Sequence, residues 1–175
     1  EGQQDGDAGL LKPRAYTIKG SLGNEGVYPL IFSGIESLGS TCFNAIWGTN
    51  IDIEVRNRRP DGREVYVNLL VDWNQDGKWE GTVPCDGGDV PEHVLVNLPV
   101  PNGYEGPLSG LTPPNFKLGP FSGYVWARFT IAERAVPEGW SGDGVFVDGE
   151  TEDYLLHVRK APEVWLVNVF ELARP

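Results

Sequence analysis

The sequence predicts an all-β protein, a single antiparallel β-sandwich with little helix and long loops rich in glycine and proline. Apolar and polar residues alternate in several short segments, which is typical of strands with one buried and one solvated face. No segment of ten or more residues repeats apolar positions at helical spacing without a glycine or proline. The 23 Gly and 14 Pro supply turns between many short strands.

The elements are expected in the following order. Residues 1–13 have no hydrophobic period and predict a disordered lead-in to one domain over 14–175. Arg59-Pro60-Asp61-Gly62 predicts a hairpin turn, and the stretches 101–122 and 132–149 predict long loops, the first covering a sheet face or edge. The alternating segments predicted as strands are 51–58, 64–71, 94–100, 123–131, 154–160 and 164–170.

The last segment, 164–170, is among the most apolar strands of the chain. An apolar strand with an open edge invites pairing. We therefore expect it either to complete this domain's own sheet or to pair with a neighbouring copy.

The charge balance excludes some partners. The chain has 14 Lys and Arg against 25 Asp and Glu, for a net charge of −11 and an isoelectric point near 4.5. Phosphate groups would meet net repulsion, so nucleic acid and anionic membrane surfaces are not expected as partners. No apolar run approaches the roughly 18 residues that a membrane-spanning helix needs, so membrane insertion is not expected either.

The acidic residues are concentrated in two segments, 72–92 and 138–153, with six in each. The first begins with Asp72-Trp73-Asn74-Gln75-Asp76-Gly77-Lys78, which matches the opening of a calcium-binding loop. Side-chain oxygens of Asp72, Asn74 and Asp76 and the carbonyl of Lys78 are the hard ligands that Ca²⁺ prefers. An Asx-rich turn without metal explains the same residues and stays open as an alternative.

The loop lacks the usual closing ligand. A helix-flanked calcium loop ends with a glutamate at its twelfth position, which here is Val83, and a strand precedes the loop, so this is not an EF-hand. The missing carboxylate would have to come from Glu80 or from a distant part of the sequence.

Glu150 and Glu152 are the distant candidates. Counting back by two from Tyr154 places both on the core-side face of the last acidic segment. A carboxylate on that face requires a partner, because burying an unpaired charge is unfavourable. A cation, an ion pair with Arg128, or solvation at the strand end would each satisfy this requirement.

Cys42 and Cys85 are the two cysteines of the chain. They either form a disulfide, which an oxidising compartment would favour, or remain two unrelated buried thiols.

Four motifs occur in a fixed order along the chain: Val-Asp-Trp-Asn-Gln-Asp-Gly-Lys-Trp at 71–79, Val-Pro at 100–101, Ala-Arg-Phe at 127–129 and Gly-Glu-Thr-Glu-Asp-Tyr at 149–154. Together they resemble the GEVED domain, and the resemblance covers about residues 50–158. The resemblance implies a non-catalytic β-sandwich module of secreted or surface-anchored proteins, with a calcium site at the first motif. Thr151 replaces the signature valine, and Thr130 stands where the family often has a second arginine.

Aromatic residues suggest a second function. Trp126 and Trp165 lie in alternating strands and are expected in the core. Trp73, Trp79 and Trp140 lie in loops beside acidic residues and are candidate carbohydrate contacts.

Taken together, the sequence predicts a calcium-binding structural or adhesive module, extracellular or on the cell surface. Its expected partners are other protein domains, copies of itself, or a polysaccharide, and the alternative is a carbohydrate-binding module. No nucleophile or phosphate-loop motif indicates an enzyme.

Overall fold

The computed structural model describes residues 8–12, 16–19, 26–29 and 37–162. This part of the chain is almost entirely strand and turn, with one 3₁₀ helix at Leu108–Leu111, which confirms the predicted all-β class. The strands are β1 (Ala8–Lys12), β2 (Tyr16–Lys19), β3 (Gly26–Pro29), β4 (Gly39–Ser40), β5 (Asn44–Ala45), β6 (Glu54–Asn57), β7 (Val65–Val71), β8 (Thr82–Val83), β9 (Val90–Pro91), β10 (His93–Val100), β11 (Glu105–Pro107), β12 (Phe116–Lys117), β13 (Gly123–Ala132) and β14 (Gly149–Arg159).

Two larger sheets form the sandwich. One has three strands in the order β1-β6-β11, and the other has five in the order β10-β7-β13-β14-β4. Neighbouring strands are antiparallel, except that β4 runs parallel to the end of β14. Smaller two-stranded pairs join β2 to β3, β5 to β12 and β8 to β9.

The core lies between the two larger sheets. One hydrophobic cluster includes Val55 of β6 together with Val67, Phe129, Tyr154 and Leu156 from the five-stranded sheet. These positions alternate with more exposed residues along β13 and β14, as the period of two predicts. The central strands of the sandwich are thus the segments whose alternation is clearest in the sequence.

A second, smaller cluster lies on the outer face of the five-stranded sheet. The long loop between β13 and β14 folds back so that Val136 and Trp140 pack on Leu70 of β7, with Phe146 beside them. The predicted loop over 132–149 therefore covers part of a sheet face. Within the described residues, no helix is long and apolar enough to cross a membrane.

Three predictions need correction. The lead-in over 1–13 is not disordered throughout, because β1 pairs with β6 through backbone hydrogen bonds. The turn at 59–62 forms, with the N–H of Gly62 donating to the carbonyl of Arg59, but it does not join a hairpin, since β6 and β7 belong to different sheets. The segment 101–122 contains β11, β12 and the 3₁₀ helix and contributes Leu108 and Leu118 to the core.

Cys42 and Cys85 form a disulfide, with their Cα atoms 5.6 Å apart. The bond ties the turn after β4 to the segment between β8 and β9. On the chain-entropy model it stabilises the fold by about 4 kcal/mol. The predicted strand 164–170, with Trp165, lies outside the described residues.

Candidate metal centre

The acidic loop 72–78 begins where β7, the second strand of the five-stranded sheet, ends. The N–H of Asp72 donates to the carbonyl of Trp126, at 3.0 Å, and the side-chain amide of Gln75 donates to the carbonyl of Tyr124, at 3.1 Å. Both acceptors lie in β13, so two hydrogen bonds fix the loop against the neighbouring strand.

Side-chain oxygens of the loop are held by its own backbone. The two carboxylate oxygens of Asp72 accept from the N–H groups of Asp76 and Gly77, at 3.1 and 3.0 Å. The side-chain oxygen of Asn74 accepts from the N–H of Asp76 at 2.9 Å, and a carboxylate oxygen of Asp76 accepts from the N–H of Lys78 at 2.9 Å. The turn is therefore a succession of Asx turns, which was the alternative to a metal loop.

Gly77 is required for its backbone conformation and not for space. A Cβ added at this glycine would meet no atom within 4 Å, so the residue is not required for space. Its φ of 81° lies in the left-handed region, which glycine adopts without strain. Gln75 also has a positive φ, of 59°, so the tight turn holds two residues in that region.

Glu92 lies against the inner side of this loop. Its carbonyl accepts from the N–H of Val71, and its carboxylate Oε1 accepts from the N–H groups of Trp73 and Asn74, at 3.0 and 3.4 Å. The residue is fully buried, and its Oε2 has no hydrogen-bond partner among the described residues.

Burial raises the pKa of the Glu92 carboxyl above its ordinary value. The two backbone hydrogen bonds oppose this rise in pKa, while the charges of Asp72 and Asp76 add to it. Three carboxylates therefore interact at one end of the sheet.

Glu150 and Glu152 do not reach the loop. Across β13, Val71 of β7 is level with Tyr154 of β14, and Val67 is level with Glu150. Asp72 follows Val71, so it lies on the side of Tyr154 away from both glutamates. Val67, level with Glu150, precedes Val71 by four positions, about 13 Å along the strand, and Leu69, level with Glu152, precedes it by two, about 7 Å. β14 lies two strands away, about 10 Å across. The prediction that one of these glutamates completes the site is wrong, because the strand register holds them apart.

Glu150 has another partner. Its Oε2 accepts a hydrogen bond from the N–H of Leu10 in β1, at 2.6 Å. This contact was not among the partners expected from the sequence, because β1 was predicted to be disordered. Burial and the charge of Glu150 raise the pKa of Glu152, which lies on the same core-side line, as predicted.

Arg128 lies on the opposite face of the sheet from these glutamates. Its guanidinium makes a bidentate ion pair with Asp153, with distances of 2.7 and 2.8 Å. The same guanidinium stacks 3.9 Å from the ring centre of Trp79 and donates to the carbonyl of Gly142. Asp153 of the acidic signature is thus paired with an arginine.

Two of the three candidate carbohydrate-binding tryptophans are not accessible. Trp73 is 0 % exposed, and a Cβ at Gly119 would lie 2.7 Å from it, so the backbone packs directly on this side chain. Trp140 is 9 % exposed, and its ring N–H donates to the carbonyl of Asp143. The prediction that they contact a sugar is wrong, because each packs into a hydrophobic cluster.

Trp79 and Trp126 are the more accessible of the tryptophans in the described ranges. Trp79 is partly exposed and lines a polar cavity of about 460 Å³ beside the loop. Trp126 is 38 % exposed on the outer face of β13, beside Tyr124, which corrects its expected place in the core.

The donor set of the loop fits a hard cation. Each side-chain oxygen of Asp72, Asn74 and Asp76 accepts one N–H group, and a carboxylate oxygen has lone pairs beyond that contact. Lys78 and Glu80 both lie exposed on the surface. Within the described ranges, no three His, Cys, Asp or Glu side chains are already arranged as a metal site.

The GEVED domain family matches residues 66–157, more than half of the chain. The match spans the acidic loop, Arg128 and the signature at 149–154, so the chain belongs to this family. Searches of curated proteins and of solved structures found no significant match to the chain.

Glu92 is the residue of the site that sequence reasoning did not single out. It is one of six acids in the segment 72–92, and no motif separates it from the other five. Its place opposite Val71 depends on the pairing of β10 with β7, which includes two irregularities of register.

Proposed function

We propose that this domain is a non-catalytic, calcium-binding structural or adhesive module of an extracellular or cell-surface protein. The observation that carries the proposal is the fixed turn at 72–78, which gathers the side-chain oxygens of Asp72, Asn74 and Asp76 in one loop. The carbonyl of Lys78 would complete the protein ligands. Family membership supports the same proposal.

The oxygen donors favour calcium over magnesium. Ca²⁺ accepts six to eight oxygen ligands in irregular geometry, including amide and backbone oxygens. Mg²⁺ requires near-ideal octahedral geometry and usually retains several waters. A loop that offers two carboxylates, one side-chain amide and one carbonyl from a short turn suits the larger ion better.

The position of the loop suggests a structural role for the ion. The loop follows β7, contacts β13 through Asp72 and Gln75, and leads towards β8. A cation bound there would hold this end of the five-stranded sheet together. We expect the whole module to gain stability and a fixed shape, as a spacer or adhesive domain requires.

The disulfide supports an extracellular location. Disulfides persist in oxidising compartments and are rare in the cytosol. The bond between Cys42 and Cys85 closes a covalent loop of the chain, and the acidic loop 72–78 lies within it. Partners in that setting would be other domains, further copies of this chain, or a polysaccharide.

Calorimetry and thermal unfolding test the calcium site. Calcium at 100 times its dissociation constant should raise the free energy of unfolding by about 2.7 kcal/mol. The double variant Asp72→Asn/Asp76→Asn should lose both the heat of binding and this gain. The matched control is Asp86→Asn/Asp89→Asn, which removes two exposed charges from the same acidic segment and should retain both. An unchanged melting curve in EDTA, without heat of binding, would refute the proposal.

A carbohydrate-binding role is the second candidate, and the cavity beside Trp79 is the observation that favours it. Arg128 already covers one face of this tryptophan, so a sugar would have to contact its edge or its other face. Retention on an insoluble polysaccharide that is lost in Trp79→Ala, but kept in Trp126→Ala, would support this role. Absence of retention for the unaltered domain would count against it.

A further inference from the structure

Glu92 is a buried acid outside the candidate calcium loop that contacts the loop backbone. Its side chain is 0 % exposed, and Oε1 accepts from the N–H groups of Trp73 and Asn74, the second and third residues of the loop. Oε2 is also buried but has no hydrogen-bond partner in the described part of the chain. One carboxylate oxygen, Oε1, is therefore hydrogen-bonded to the loop backbone, and the other, Oε2, has no hydrogen bond to compensate for its burial.

The surroundings of Glu92 make its negative charge unfavourable without a cation. Asp72 and Asp76 are close enough for their charges to act on it, and both are acidic. A buried charge needs a partner of opposite sign or a full set of hydrogen bonds. Among the described residues, Glu92 has no ion pair, and the one basic residue of the segment 72–92 is the exposed Lys78.

We infer that Glu92 is a positioning residue of the calcium site: its buried charge increases the affinity of the loop for a divalent cation, while Oε1 fixes the backbone of Trp73 and Asn74. This inference rests on the proposed calcium-binding function. It does not require Glu92 to touch the ion, because attraction between a buried anion and a cation is weakly screened. It explains why a charged residue occupies a position opposite the core residue Val71.

The inference predicts two effects of opposite sign for Glu92→Gln. Glutamine keeps an oxygen that can accept from Trp73 and Asn74, but it removes the charge. In EDTA the variant should melt at the same temperature as the unaltered protein or above it, because repulsion from Asp72 and Asp76 is gone. With calcium, its dissociation constant should rise by about tenfold or more, as for other residues that support metal ligands.

Thermal unfolding in EDTA and calorimetric titration with CaCl₂ measure the two effects. Glu138→Gln, at an exposed carboxylate in another loop, is the matched control for the change in net charge and should leave both values unchanged. Calcium binding by Glu92→Gln as tight as that of the unaltered protein would overturn the inference and leave the calcium site standing. A melting temperature in EDTA that falls would also overturn it, since Glu92 would then be merely structural.

A second variant tests the inference if Glu92→Gln does not fold. If Glu92→Gln does not fold, Glu92→Asp, which keeps the charge, decides: a rise in the dissociation constant of less than about tenfold supports the inference, and a larger rise overturns it. If the unaltered protein itself shows no calcium binding, the proposed function fails, and the inference fails with it. That result is distinguishable, because it appears before any variant is tested.

Discussion

Thr130 and Thr151 lie directly opposite each other on β13 and β14, with their hydroxyl oxygens 3.1 Å apart. Thr130 is 1 % exposed, whereas Thr151 is exposed to solvent. In the family pattern to which the sequence was compared, an arginine often stands at position 130 and a valine at position 151. These two departures from the pattern therefore lie in one contact.

The contact predicts an asymmetric response to valine. Thr151→Val removes the partner of the buried Thr130 hydroxyl, and an unsatisfied buried hydroxyl costs about 1–3 kcal/mol. Thr130→Val should cost less, because the Thr151 hydroxyl can turn to water. The double variant should resemble Thr130→Val, and urea unfolding of all three proteins measures the coupling.

The control for this cycle is Thr82→Val, an exposed threonine in β8. It should change the free energy of unfolding little, because its hydroxyl is solvated in both states. Equal, additive effects of Thr130→Val and Thr151→Val would show that the hydroxyl contact contributes nothing.

Arg128 provides a second prediction, because its contacts need the shape of a guanidinium as well as its charge. Arg128→Lys keeps the charge but cannot maintain both the bidentate pair with Asp153 and the stacking on Trp79. The ion pair is partly solvated, so we expect a loss of only about 1 kcal/mol in the free energy of unfolding.

Urea unfolding measures this loss, and Arg63→Lys is the control, at an exposed arginine. The Arg63 variant should be as stable as the unaltered protein. If Arg128→Lys is equally stable, the stacked and bidentate geometry does not contribute.

The central strands could be predicted from the sequence because the alternation of apolar and polar residues within one segment is enough to indicate a strand. Alternation alone located β7, β10 and β13 to within one residue at each end, but it missed the first five residues of β14. Counting by two from Tyr154 placed Glu150 and Glu152 on the core-side line. Alternation does not say which of the two faces is buried. Trp126 was therefore expected in the core but lies on the outer face with Tyr124.

Features that depend on pairing between distant segments could not be predicted. Whether the turn at 59–62 joins a hairpin or two sheets depends on β1 and β11, which pair with β6 from either side. The contact between Leu10 and Glu150 spans 140 positions of sequence. Glu92 likewise gains its role only from lying opposite Val71.

The disulfide leads to a third prediction. Thiol titration of the denatured, unreduced protein should detect no free cysteine, because Cys42 and Cys85 are bonded. Cys42→Ser/Cys85→Ser should lower the free energy of unfolding by about 4 kcal/mol on the chain-entropy model. Reduction of the unaltered protein is the control and should produce a similar loss. Two titratable thiols before reduction would contradict the bond and weaken the case for an extracellular location.

Glu152 predicts how stability depends on pH. Burial, followed by the charge of Glu150, raises the pKa of Glu152 in the folded protein. Between the ordinary glutamate pKa of about 4.3 and this raised value, the folded state binds more protons than the unfolded state. The contribution of Glu152 to the free energy of unfolding is therefore fully present below the ordinary pKa and is lost as the pH rises through the raised pKa.

Glu152→Gln, which carries no charge, should unfold at higher urea than the unaltered protein at pH 7, and this advantage should shrink towards pH 4. The control is Glu138→Gln at an exposed position, which should show no such trend. An advantage of Glu152→Gln that is the same at pH 4 and pH 7 would show that burial of the charge is not its cause.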